Sequence, residues 1–420
     1  MEDFLNKPLL QEFSPHTLYS GEAILCKESM KLIVKPDSFL VISLATSTAI
    51  YQMKWQDILG AIPQSTKPKK GFTLIAFHKK SNTRILERFL FLTNDSDYWV
   101  LIIQSMCYFQ KLPDEYEYDV YRRRFKVFLS QTSKALQIWR QVAPIFIACE
   151  LAISRIQAHS QAVETTKTLD LSLYDGILVV GCDNLFHEVI NALYKRSDGE
   201  QARLCPVFPI SVGYNEEIAK ILCKKSNEPF SPENCAFIAA KGTPLPIDIT
   251  EIKPISSDEI IYSIYSFSWA FTADVEITSE TCRVFRKTLN SAWRLISLKK
   301  YNASLKWTDE DGEHEHNDRF IYFLALNMSA DCNGDDGKND ILVNSGDIGR
   351  KGLVHVLYKQ RKGPKLGIDQ LKHISASKWS LRPNSKRGIF SVDSQSYPVE
   401  NIDAEVLKQY GTVFALTSLL

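Results

Sequence analysis

The 420-residue chain lacks paired cysteines: its nine cysteines include no C-x-x-C spacing, and their number is odd. Cys26, Cys107, Cys149, Cys182, Cys205, Cys223, Cys235, Cys282 and Cys332 lie scattered, mostly in apolar stretches. That argues against a disulfide framework or a clustered zinc site and for buried free thiols in a reducing compartment. An excess of either charge is also missing. Lys and Arg number 50 against 49 Asp and Glu, so no global field draws the chain to nucleic acid. Long apolar runs are absent too: the longest, Val142 to Ile153, contains Glu150 and falls short of the roughly 20 residues a membrane span needs. The segment Met1 to Phe13 carries Glu2 and Asp3 and no apolar core, unlike a secretory signal or an Arg-rich transit peptide. These absences predict a soluble, cytoplasmic chain. Hydrophobic residues at 45% and charged residues at 24% are ordinary globular usage, with length for two or three domains.

Three blocks follow along the chain. Residues 1–113 are strand-rich, with β-branched or apolar runs at Ala23 to Cys26, Lys31 to Val34, Phe39 to Leu44, Ala49 to Met53, Phe72 to Phe77 and Phe89 to Leu92. A helix capped by Asp95 or Ser96 and running through Trp99, Ile102 and Met106 closes the block. Small strands followed by one helix resemble a pleckstrin-homology domain, in which Lys67, Lys69 and Lys70 would face a phosphoinositide headgroup; a solvated loop is the ordinary reading of such a run. Residues 114–125 form a charged linker, acidic and then basic.

Residues 126–234 alternate strand and helix: a strand at Lys126 to Leu129, a helix from Lys134 to Gln157, a strand at Gly176 to Val180, a helix from Leu185 to Tyr194, a strand at Pro206 to Ile210 and a helix from Glu216 to Cys223. That alternation predicts an α/β domain, a parallel sheet with helices, whose ligands sit at the carboxyl ends of the strands near Ser130, Gly181 and Ser211. Residues 235–420 return to strands, at Ala236 to Ala239, Tyr262 to Trp269, Ala303 to Trp307, Phe320 to Asn327, Ile341 to Val343 and Leu353 to Tyr358, with one helix from Ser279 to Leu298. This predicts a mostly antiparallel domain.

Three segments carry chemistry. Leu173 to Asn191 is a buried strand, a tight turn with one acid, Gly181-Cys182-Asp183-Asn184, and the start of a helix. Ser266 to Glu276, continuing to Arg283, contains Trp269, Phe271 and Asp274. Gly388 to Asp393 lies near the C-terminus. In this order they resemble the sphingosine kinase branch of the diacylglycerol kinase catalytic-domain family over roughly Lys126 to Leu420. The resemblance implies an α/β nucleotide domain followed by an antiparallel β-sandwich lipid domain. It implies that Asp183 takes the proton of the lipid hydroxyl, or orients that hydroxyl, as it attacks the terminal phosphate of ATP. Asp274, with Trp269 and Phe271, would recognise the sphingoid head, and Arg283 would reach the nucleotide phosphates. Ser130, Thr132, Ser133, Asn184, Ser211 and Asp393 would complete the nucleotide site, with Mg²⁺ as the metal of the reaction. Taken singly, Asp183 would be a helix cap, Asp274 a strand-end carboxylate and Arg283 a solvated side chain; joint order and spacing give them meaning.

The glycine turns of that family are altered. Its N-P-x-x-G-x-G loop is replaced by Ser130-Gln131-Thr132-Ser133, with hydroxyls where backbone would approach phosphate. Two glycines of the acid turn are Cys182 and Asn184; a left-handed backbone would strain Cys182, whereas Asn184 tolerates it. The third element reads Pro209-Ile210-Ser211-Val212-Gly213-Tyr214-Asn215, and the late D-G-E reads Asp393-Ser394-Gln395. The lipid segment is nearly intact. The leading expectation is therefore a lipid-binding protein, a sensor or scaffold for a sphingoid long-chain base, with phosphotransfer lost or weakened. An active ATP- and Mg²⁺-dependent long-chain-base kinase is the alternative, and a structural subunit without ligand the third.

Other clusters have plainer readings. Glu313 to His316 read as a hydrophilic hairpin loop, Asp331 to Gly337 as a failed calcium loop, and His187–Glu188 as helix packing. The basic run Lys359 to Lys365 has a solvated turn as its default and an anionic membrane as its other partner.

Overall fold

The computed structural model describes residues 17–64, 70–80, 83–109, 111–113, 123–149, 151–156, 159–213, 216–274, 299–309, 311–328, 336–344, 348–359 and 368–416. Two compact units emerge: Met1–Arg124 with Arg140–Ala152, and Phe125–Trp139 with Ile153–Leu420.

In the first unit, β1 (Tyr19–Leu25), β2 (Glu28–Val34), β3 (Ser38–Ser43), β4 (Ala49–Lys54), β5 (Ile58–Gln64), β6 (Gly71–Lys80) and β7 (Thr83–Leu92) form one antiparallel sheet in the order β4-β3-β2-β1-β7-β6-β5. Helix α1 (Ser96–Phe109) follows, and its buried Trp99 meets Tyr19, Phe39 and Phe72. Burying one large aromatic against three others gives the sheet a fixed lid, since such rings dominate the area removed from water. The Lys67 and Lys69 of the basic run lie outside the described residues.

The chain continues with β8 (Arg124–Leu129), α2 (Ser133–Ala148), whose second half from Arg140 belongs to the first unit, β9 (Ala152–Ile156), α3 (His159–Thr168), β10 (Gly176–Gly181), α4 (Asp183–Tyr194), α5 (Gly199–Leu204), β11 (Val207–Ser211), α6 (Glu217–Lys225) and α7 (Pro232–Lys241). The sheet order is β11-β10-β8-β9, and β10 runs parallel to both β8 and β11. All six residues of β10 are buried, as its unbroken apolar run demands of a central parallel strand.

Two antiparallel six-stranded sheets follow. One is β13 (Ile261–Ser263), β12 (Thr243–Pro254), β23 (Ile402–Ala415), β20 (Lys378–Pro383), β15 (Tyr301–Asp309) and β16 (Gly312–Phe320), in that spatial order. The other is β19 (Leu371–Ala376), β18 (Asn339–Asn344), β17 (Tyr322–Leu326), β14 (Ser266–Ala270), β21 (Ile389–Val392) and β22 (Gln395–Pro398). Their inner faces share one core that includes Phe267, Trp269, Trp307, Phe323, Trp379 and Phe390. Helix α8 (Arg350–Lys359) sits between β18 and β19 in the chain.

Several segments depart from the sequence reading for identifiable reasons. The helix expected to run to Gln157 stops at Ala148, and the next apolar stretch becomes β9 in the parallel sheet. Ala236 to Ala239 are helical, because Ser231 caps α7 by accepting from the Asn234 N–H at 3.1 Å and Pro232 presets its first turn. Leu353 to Tyr358 are helical, with Leu353 and Val356 buried at i, i+3. The expected strand Tyr262 to Trp269 is broken at Ile264 and Tyr265 into β13 and β14, which belong to different sheets. Glu313 to His316 lie on the half-exposed strand β16 rather than in a loop. The expected helix Ser279 to Leu298 lies outside the described residues.

Candidate functional site

The acid turn stands at the carboxyl edge of the parallel sheet. Gly181 ends β10 and pairs with Ser211 at the end of β11, while Leu129, the last residue of β8, pairs with Val180. Ser130, Cys182, Asp183 and Ser211 therefore share one edge, where open α/β sheets hold their ligands. Gly181 is closely surrounded: a Cβ there would come within 2.9 Å of Leu185 Cδ2, the movable end of that side chain, and at ordinary contact distance, 3.5 Å, from Ser130. Cys182 takes an extended backbone, φ −81°, ψ 166°, which any L-residue adopts. The condition under which Cys182 would be strained, a left-handed backbone, is therefore not met, and Asn184 sits in the first turn of α4 with no left-handed backbone to support.

Asp183 is 2% exposed, and its Oδ1 has no hydrogen-bond partner among the described residues. Burial, chiefly, pushes its carboxyl well above the ordinary range; the charge of Asp393 adds to this, followed by Cys182 and Glu217, against a hydrogen bond from the Glu217 backbone. Asn184 Oδ1 and Ser211 Oγ are likewise buried without partners. Three polar atoms without partners among the described residues thus stand within one turn and the adjoining strand end.

The same face of α4, one turn beyond Asp183, meets the strands of the sandwich. His187 Nδ1 lies 3.1 Å from Asp393 Oδ2, and its Nε2 lies 2.8 Å from the Tyr397 hydroxyl. One turn on, Asn191 donates to the Tyr262 carbonyl and accepts from the Tyr262 N–H, both at 2.9 Å. Asp393 Oδ1 accepts from Ser263 Oγ and from the N–H groups of Tyr265 and Ser266, and Oδ2 accepts from the Ile264 N–H. Three successive backbone N–H groups turned onto one carboxylate explain why the strand breaks at Ile264 and Tyr265. Burial alone would raise the Asp393 pKa, but His187 and the Ser266 and Ile264 N–H groups outweigh it and hold the group below the usual carboxylate range. Two neighbouring acids are thereby pushed apart in proton affinity: that of Asp393 is lowered, and the charge of Asp393 adds to burial in raising that of Asp183.

Asp393 and Ser394 form the two-residue loop between β21 and β22, where Val392 pairs with Gln395. Their φ angles of 48° and 74° are the left-handed pair of a type I′ turn, which favours glycine at the second position. Ser394→Gly is expected to raise stability by about 1 kcal/mol in chemical denaturation. A loss would mean that the contacts of the Ser394 side chain outweigh its backbone strain.

The remaining expected site residues are dispersed in role. Thr132 caps α2, its Oγ1 accepting from the Ala135 N–H at 3.2 Å, and Ser133 is exposed at the first position of that helix. Ser130 is buried and bonds Val180 through its backbone. Trp269 is sealed in the sandwich core against Tyr301, Phe320, Phe323 and Phe390, so its ring is a core element. Ala270, at φ 61°, bends the chain out of β14, and the Thr272 hydroxyl lies within hydrogen-bond reach of both the Trp269 and Phe323 carbonyls, pinning the turn that carries Phe271 and Asp274. Asp274 is buried. Arg283, Tyr214 and Asn215 lie outside the described residues.

Sequence reasoning read His187 as helix packing and passed over Asn191 and Tyr397. The i, i+4 spacing of His187 and Asn191 on a helix beginning at Asp183 was the available signal. A cavity of about 480 Å³ on the charged face of the first sandwich sheet, lined by Lys306, Glu315, Lys378 and Glu405 among others, shares no residue with the acid turn.

Residues 126–252 match the diacylglycerol kinase catalytic domain. Sphingoid long chain base kinase 4 of Schizosaccharomyces pombe is 25% identical over 351 residues, 70% of this chain and 75% of that one. Sphingosine kinase 1 of Mus musculus is 24% identical over 332 residues, 66% of this chain and 86% of that one. The chain is similar to the sphingosine kinase branch of the diacylglycerol kinase catalytic-domain family. The crystal structure of a diacylglycerol kinase from Bacillus anthracis shares the fold, with a TM-score of 0.50 at 14% identity, over 72% of this chain and all of that one.

Proposed function

We propose that this protein is a sphingoid long-chain-base kinase in which Asp183 receives the proton of the lipid's primary hydroxyl. One observation carries the reading: a buried carboxyl with raised proton affinity and an unpartnered oxygen at the carboxyl edge of the parallel sheet. A carboxylate left unsatisfied in the interior lowers stability, so its presence points to use. The orphaned atoms of Asp183 and Asn184 are acceptors, which suit a lipid hydroxyl or a cation; the Ser211 hydroxyl adds a donor suited to phosphate.

In the proposed reaction the hydroxyl oxygen bonds to the γ-phosphorus of ATP as the bridging P–O bond breaks and ADP leaves. The hydroxyl proton passes to Asp183 and then to solvent. Magnesium, when bound with ATP, would neutralise charge on the phosphates. The substrate ammonium would pair with Asp274. Incubation with radiolabelled ATP, Mg²⁺ and sphingosine should yield phosphorylated lipid, lost in Asp183→Asn.

A second reading rests on the first loop. Ser130 to Ser133 contains no glycine, the Thr132 hydroxyl oxygen is taken up in capping α2, and the late acid of the family is Gln395. Those features favour a protein that binds the long-chain base without phosphorylating it. Sphingosine binding with no labelled product would select that reading.

A further inference from the structure

No described helix is long and apolar enough to cross a membrane. Helix α8 nevertheless presents an unusual exposed face. Leu353 and Val356 anchor it inward, while Val354 and Tyr358 stand 49% and 71% exposed. These two follow Arg350 at i, i+4, i+8, and the adjacent exposed stripe at the same spacing is Lys351, His355 and Lys359. A helix that carries two apolar side chains into solvent beside a row of cations, with no acid along its length, is matched by a surface that is negative at its face and apolar beneath. The surrounding sequence extends the imbalance: from residue 348 to 368 there are Arg350, Lys351, Lys359, Arg361, Lys362 and Lys365, and no Asp or Glu. A chain of overall charge +1 has thus segregated cations here.

We infer that the exposed face of α8 docks on an anionic lipid bilayer, with Lys351 and Lys359 at the headgroups and Val354 and Tyr358 entering the interface. A bilayer suits both features, since headgroup charge meets the basic stripe and the boundary region accepts Tyr, whose ring is apolar and whose tip is polar. An acidic protein surface would account for the cations but leave Val354 and Tyr358 without a comparable sink. The proposal stands apart from the phosphotransfer reading, because it concerns residues outside the acid turn and its test needs no ATP.

The test is co-sedimentation of the full chain with vesicles of phosphatidylcholine alone or mixed with phosphatidylserine. The wild type should partition onto the mixed vesicles, weakly onto the neutral ones, and less as salt rises. Each cation at such a surface is worth about fivefold in partitioning, so Lys351→Glu with Lys359→Glu should lower it by about 25-fold or more. Val354→Ser with Tyr358→Ser should lower binding to the mixed vesicles while leaving its salt dependence in place. All four side chains are exposed, so thermal melts of the variants should coincide with the wild type. Equal binding to both vesicles, no binding to either, or wild-type partitioning by the charge-reversed variant would overturn the proposal. So would self-association of the wild type that Tyr358→Ser abolishes in the absence of lipid, since the face would then belong to a second copy.

Discussion

Asp393→Ala should be among the most destabilising single substitutions in this protein, lowering the stability of the second unit by about 3–5 kcal/mol. Five polar groups converge on this carboxylate: His187 Nδ1, Ser263 Oγ and the N–H groups of Ile264, Tyr265 and Ser266. Truncation leaves all five buried without their acceptor, and each orphaned donor costs about 1–3 kcal/mol before relaxation. Asp393→Asn should recover little, because the amide offers one oxygen and turns N–H groups toward donors. The pH dependence has a definite sign. The folded pKa is depressed, so the contribution is present above the unfolded aspartate value and lost as pH falls through the folded one. Wild-type stability should therefore decline on strong acidification, and the Ala variant should show less of that decline. Denaturant melts across pH measure both. A cost below about 1 kcal/mol at neutral pH would mean that the five donors find other partners.

The role of Asp393 also shows where the sequence was readable and where it was not. As an acid near the C-terminus it stood out through its resemblance to a family motif. Its partners are 127 to 206 residues away along the chain, and no local spacing announces them. The parallel strands were legible because a central strand such as β10 must be apolar on both faces, and Asp183 was legible because a buried run ending in a lone acid is conspicuous. His187 was legible only as a helical residue, since its function depends on what the sandwich places opposite it. Short apolar runs misled toward strand. Ala236 to Ala239 and Leu353 to Tyr358 are apolar enough for strands, and only the Ser231-Pro232 start or the i, i+3 burial of Leu353 and Val356 decides for helix. The altered glycines misled differently. A missing glycine matters only if its backbone is left-handed, and φ at Cys182 cannot be read from composition; at Ser394 the left-handed strain is present.

Asp183→Asn should uncouple stability from chemistry: it should abolish lipid phosphorylation while making the protein more stable at neutral pH. The loss follows from the proposed role, since an amide cannot take the hydroxyl proton, and general base contributions of this kind are worth about 10²–10⁴ in rate. The gain follows from burial. The wild-type carboxyl is enclosed, faces the charged Asp393 and leaves Oδ1 unpartnered, so its ionised form is opposed by desolvation and by like charge. For a group whose folded pKa is raised, the protonated folded state is the favoured one; stability is fullest below the unfolded aspartate pKa and falls as pH rises toward the folded value. Removing the ionisation should therefore add on the order of 1–3 kcal/mol at neutral pH and flatten that part of the profile. Asp393 links the two effects. Its retained charge helps raise the proton affinity of Asp183, so a milder change at that hub, His187→Gln, should shift the pH profile of turnover as well as lower stability. Turnover across pH and denaturant melts of wild type and Asp183→Asn together decide the matter. A destabilised Asn variant would identify Asp183 as a fold-supporting cap, and unchanged lipid phosphorylation would move the base to another residue.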